Sequence, residues 1–100
     1  MVKHIVLIKL KDMESFEAKL KIMNDFKTAI EALPAEINFI RKIEVGFNIN
    51  EKEIYDMALY SEFDSLEDVE AYAIHPAHVA AGKIIAEAKE SRACVDYEIK

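Results

Sequence analysis

The sequence predicts a single α+β domain of βαββαβ order, with a four-stranded antiparallel sheet and its helices on one face. Three observations carry that prediction. Four runs alternate apolar and polar residues with a period of two, and two stretches between them repeat apolar residues at helical spacing. The chain is 100 residues long, which leaves no room for a linker and a second core. Residues 1–100 are read as one domain.

Composition supports folding and narrows the partners. Apolar residues make up 52 % and charged residues 32 % of the chain, enough for a core and unlike a disordered segment. Thirteen basic and nineteen acidic side chains give a net charge of −6, which repels phosphate backbones and anionic lipid, so neither nucleic acid nor membrane is expected as a partner. The single cysteine, Cys94, can form no internal disulfide and lies in an alternating run, where a small half-buried side chain is expected. The opening Met1-Val2-Lys3-His4-Ile5 runs straight into a strand pattern without a leader's apolar region or a membrane span, so the cytoplasm is the expected location.

Strand one is read from Lys3 to Lys11, with His4, Val6, Ile8 and Leu10 on one face and Ile5 and Leu7 on the other. Both faces are apolar at the centre, more than a one-sided sheet needs, so the second face must also be covered. From Met13 to Leu33, Phe16, Leu20, Met23, Ile30 and Leu33 fall at helical spacing, flanked by Ile22, Phe26 and Ala29, with Asp12 as the expected cap and Pro34 as the stop. Strand two is expected from Ile37 to Phe47, ending in the Gly46 and Asn48 turn, and strand three from Ile54 to Phe63. Asp64 with Glu67, and Ser65 with Asp68, have capping-box spacing and start a short helix. Pro76 cannot continue that helix but suits the first position of another, expected to run to about Arg92. Ala93, Val95, Tyr97 and Ile99 then alternate as a fourth strand. With helices on one sheet face, the other is best buried against a second copy, predicting a symmetric homodimer.

In this order the chain resembles the stress-responsive α/β-barrel (Dabb) family, a branch of the dimeric α+β barrel proteins. The resemblance rests on Lys3-His4-Ile5-Val6, the Gly46 and Asn48 turn, Tyr55-Asp56, Phe63, the segment from Tyr72 to His78, and Asp96-Tyr97, and it covers nearly the whole chain. It implies a homodimeric ferredoxin-like fold with a cavity in each subunit between sheet and helices. In a plant polyketide cyclase of that family, residues matching Tyr72 and His78 perform acid/base chemistry on an aldol condensation. The motif also occurs in relatives without known cyclase activity, so it marks the family more than the reaction.

The residues suggest how such a pocket would work. His78 falls in the first turn of a helix opened by Pro76, where the positive end of the dipole disfavours an imidazolium. A neutral imidazole facing an apolar cavity suits a general base, and Tyr72 suits the donor that holds a carbonyl oxygen. His78, Gly82 and Ile85 share one helix face, where the glycine is expected to permit close approach. His4 and Val6 on strand one, Ile22, Met23 and Phe26 on helix one, and Met57, Leu59 and Ser61 on strand three are expected to line the same cavity or to fill it. His4 has a structural alternative, a hydrogen bond tying sheet to helix, and His75 reads as a cap or hinge. No metal or other cofactor is expected: the histidines lack the His-x-x-x-His spacing and an adjacent acidic ligand, and the chain has no tryptophan of the kind that haem-degrading barrels place against the porphyrin. Two functions stay open, a small-molecule binding protein holding an apolar or aromatic compound, and a cofactor-independent cyclase-like enzyme using His78 and Tyr72.

Overall fold

The computed structural model describes all residues from 1 to 100. Its central strand, β1 (Val2–Leu10), pairs antiparallel with β3 (Met57–Phe63) on one side and with β4 (Lys89–Glu98) on the other, while β2 (Lys42–Phe47) closes the far edge against β3. The resulting order, β2-β3-β1-β4, is the ferredoxin-like arrangement. Three helices, α1 (Phe16–Glu31), α2 (Leu66–Ile74) and α3 (Pro76–Lys83), complete the fold.

Alternation places the core. Val2, His4, Val6, Ile8 and Leu10 are all buried on one face of β1, and Met57, Leu59, Ser61 and Phe63 on the same face of β3. Register aligns the two rows, Val6 opposite Leu59 and Ile8 opposite Met57. Met23, Phe26 and Ile30 of α1 and Val69 and Tyr72 of α2 close over them. Each such aliphatic or aromatic side chain contributes about 1.5–3 kcal/mol on leaving water, so this layer is the main source of stability. Asp56 ties one end together: its carboxylate accepts from the Leu10 amide at 2.7 Å and faces the Lys19 ammonium at 3.2 Å, while its own amide donates to the Ile8 carbonyl.

Several boundaries differ from the expected ones. The cap of α1 is Ser15, whose hydroxyl accepts from the Ala18 amide at 3.1 Å; Asp12 lies outside the helix, and Phe16 is 70 % exposed rather than core. Ile37 and Ile40 are buried, but they anchor a turn after the short 3-10 segment Leu33–Ala35, so β2 starts at Lys42. Ile54 is exposed and β3 starts at Met57. The last helix stops at Lys83, because β1 extends to Leu10 and offers ladder partners to Lys89, Ser91 and Arg92; strand pairing overrides the helical look of that stretch. Cys94 is exposed on the edge strand rather than half-buried.

The face of the sheet opposite the helices is apolar at its centre. Ile5 and Leu7 are half-buried there, and Val95 and Tyr97 are 53 % and 41 % exposed. No helix is long and apolar enough to cross a membrane.

Candidate functional site

The helix break at His75-Pro76 builds the site. Proline brings no amide hydrogen to the ladder, so α2 ends at Ile74, and its last carbonyls need other partners. The His75 amide donates to the Tyr72 carbonyl at 3.1 Å, and the His75 ring accepts at Nδ1 from the Ala77 amide at 3.1 Å, capping α3. His75 is therefore the hinge and cap, as its position before a proline suggested. The Ala77 amide, which would have served Ala73 in a continuous helix, is thereby diverted. His78 takes its place: the ring Nδ1–H donates to the Ala73 carbonyl at 3.0 Å.

That bond selects the tautomer. A carbonyl only accepts, so Nδ1 carries the hydrogen and the neutral ring keeps a lone pair on Nε2. Burial of the ring pulls the imidazole below its ordinary value, with the nearby positive charge of Arg92 acting in the same direction, so the neutral form prevails at pH 7. Neutrality thus comes mainly from desolvation, where the sequence reading invoked the helix dipole.

Tyr72 stands beside it, ring centroids 4.3 Å apart, with Phe63 at 5.1 Å on its other flank. The tyrosine is only 1 % exposed, and its hydroxyl is buried without a hydrogen-bond partner. Burial pushes the phenol well above its usual range, so it stays protonated and available as a donor. An unpartnered buried hydroxyl costs about 1–3 kcal/mol, and native proteins keep few of them.

Tyr72 and His78 both line a cavity of about 140 Å³ between sheet and helices. His4, Val6, Phe26, Leu59, Tyr72, His78 and Gly82 meet around it, with Ile85 as the apolar wall. Ile22 and Met57 do not line it: Ile22 packs against the core from outside, and Met57 is buried in the filled layer near Ile8, as Met23 is under α1. Ser61 also stays out, its hydroxyl donating to the His4 carbonyl at 3.3 Å. A methyl group at Gly82 would meet nothing within 4 Å, so the glycine widens the cavity and is not needed for close approach. Lys89 and Arg92 complete the rim. Sequence reasoning missed both, since it assigned them to a helix.

His4 reaches the cavity from β1, but its hydrogen bond runs within the sheet, not to a helix. Its Nδ1 contacts the carboxylate of Asp96, the residue opposite it on β4, and Cys94 Sγ lies 3.6 Å from the same nitrogen. These donor atoms lie within 4.8 Å of one another, so an acidic neighbour does accompany a histidine, contrary to the sequence reading, which could not see across 92 residues. A nitrogen, a sulfur and an oxygen form a donor set that zinc accepts, yet the His4–Asp96 hydrogen bond already accounts for their closeness.

The two largest hollows differ in kind. One of about 710 Å³ between the β4 edge and the start of α2 is open and bears Asp64, Glu67, Asp96 and Glu98; another of about 470 Å³ between α1 and α3 is lined mostly by alanines. Neither gathers a base, a donor and an apolar wall.

Comparison with known proteins agrees with this architecture. The family model for the stress responsive A/B barrel domain matches residues 2–99. A dimeric protein of unknown function and ferredoxin-like fold from Bacteroides fragilis is 68 % identical, with a TM-score of 0.94 over 98 % of this chain and 95 % of that one. Olivetolic acid cyclase of Cannabis sativa is 27 % identical over 99 residues, covering 96 % of this chain and 94 % of the cyclase. A hydroxynitrile lyase from Passiflora edulis, 20 % identical with a TM-score of 0.73 over 99 % of this chain and 93 % of that one, shares the fold.

Proposed function

The chain belongs to the stress-responsive A/B barrel family, and on that premise we propose that it is a homodimeric, cytoplasmic small-molecule-binding protein whose cavity takes one ring-sized apolar or aromatic molecule bearing a hydrogen-bond acceptor. The observation that carries this reading is the Tyr72 hydroxyl, buried, protonated and unpartnered on a residue that lines the cavity. A bound oxygen would satisfy it. Size supports the same class: an apolar cavity of about 150 Å³ suffices to take up benzene, and this one measures about 140 Å³. The homodimer is supported by the apolar outer face of the sheet at Ile5, Leu7, Val95 and Tyr97, and by the description of the Bacteroides fragilis relative as dimeric.

A second reading, acid/base turnover like that of a cyclase, is favoured by one feature: the free Nε2 of a neutral His78 stands beside a phenol able to polarise a carbonyl. The similarity to olivetolic acid cyclase points the same way. In this scheme Nε2 removes a proton next to the carbonyl, and Tyr72 holds the developing enolate oxygen.

Titration of the labelled protein with acetophenone and with ethylbenzene tests the binding reading. Both probes should perturb the amides of Ala73, His78 and Gly82, and Tyr72→Phe should weaken acetophenone about tenfold while sparing ethylbenzene, the worth of one buried hydrogen bond. Gly82→Ala should weaken both. If neither probe perturbs those amides, the proposal fails.

A further inference from the structure

Charge around the cavity runs against the charge of the molecule. The chain carries a net −6, yet among the twelve residues lining the cavity two are cations and none is an acid. Those cations, Lys89 and Arg92, make no ion pair, although seven of the other lysines and arginines do, including Lys9 with Glu90 next door. Arg92 points to the helix side by the ordinary alternation of β4, and Lys89 joins it there only through an irregularity of the sheet. In a regular strand, residues three apart point to opposite faces. Here Arg92 stands opposite Ile8 in the regular ladder between β1 and β4, and the register then shifts at Lys9/Leu10, so that Lys89 stands opposite Leu10. Leu10 and Ile8 both face the helices, and the bulge therefore turns Lys89 to the side that Arg92 already faces. The guanidinium is close enough to act electrostatically on both Tyr72 and His78.

Resting on the cavity reading above, we propose that the ligand is a small carboxylate, its anionic end held by Lys89 and Arg92 and its ring or alkyl body set against Val6, Phe26 and Leu59. Arginine suits this role because its planar fork matches both oxygens of a carboxylate, and lysine adds a second, mobile charge. The hollow toward the far end of β4, with Asp64, Glu67 and Asp96, would repel the same anion, so the two hollows would sort ligands by charge.

Benzoate and benzamide test the proposal, since they share one shape and differ by a charge. In low salt, wild-type protein should bind benzoate at least about tenfold more tightly than benzamide, with shifts centred on Lys89, Arg92 and His78. The ratio should fall toward one in the Lys89→Gln, Arg92→Gln double variant, whose fold is checked by its amide spectrum. Equal affinities in wild type, or a preference that survives the double variant, would overturn the carboxylate while leaving the cavity reading intact if acetophenone still binds. If acetophenone does not bind either, both fall.

Discussion

Two parts of one buried layer behave differently. On the α1 side, Met23, Ile30 and Leu33 belong to the same core as Leu10 and Met57, none of them more than 7 % exposed, and none of them lines the cavity. Under α2 and α3, Tyr72 is as deeply buried as Ile30, but it borders a void and leaves a hydroxyl unbonded. Burial is the same and satisfaction is not. The first region uses its apolar area to hold the fold together, and the second gives up stability to keep an empty, polarised space.

The largest effect should come from breaking the filled side. Ile30→Ala removes well-packed methylenes and should cost about 2–5 kcal/mol, read as a fall in the urea midpoint at unchanged slope. A loss below about 1 kcal/mol would mean that the layer under α1 is no tighter than the cavity wall. On the cavity side the sign should reverse. Tyr72→Phe deletes the unpartnered hydroxyl and should stabilise the ligand-free protein by about 1–2 kcal/mol, raising the melting temperature by several degrees. Destabilisation by that substitution would show that the hydroxyl has a partner in solution and would close the contrast.

The smallest effect is a pH dependence. The His78 imidazole lies below its ordinary value of 6.5 in the folded chain, so folding favours the neutral ring. Its contribution is fully present above about pH 6.5 and is lost as the pH falls below that, where the unfolded chain takes up a proton that the native ring resists. Urea midpoints at pH 7.5 and 5.5 should therefore differ less in His78→Asn, which keeps a donor for the Ala73 carbonyl, than in wild type. An equal difference in the two proteins would assign the acid sensitivity elsewhere.

The same contrast explains what could be read from residues alone. Alternation placed β1, β3 and the core rows correctly because each buried residue reports its own face, and the Pro76 break was visible because proline is locally decisive. The gathering of His4, Tyr72, His78 and Gly82 was likewise legible, through strand parity and helical spacing. Lys89 and Arg92 were not, since the stretch carrying them looks helical until it pairs with β1, and the aim of Lys89 depends further on a register shift that only this pairing creates. Asp96 beside His4 was hidden for a similar reason, being a neighbour across strands. Ile22 and Met57 were assigned to the cavity on periodicity, which tells inward from outward but not filled from empty.

The break between α2 and α3 has one more consequence. The choice of which His78 nitrogen holds hydrogen is made by a main-chain oxygen, and no substitution at Ala73 can delete that oxygen. The oxygen is free only because the chain turns at Pro76, so the site's protonation pattern is inherited through a residue with no acid or base of its own. Exchanging the side chains around the cavity would alter its chemistry, but the proton stays on the same atom for as long as the chain keeps the proline and the histidine two places beyond it.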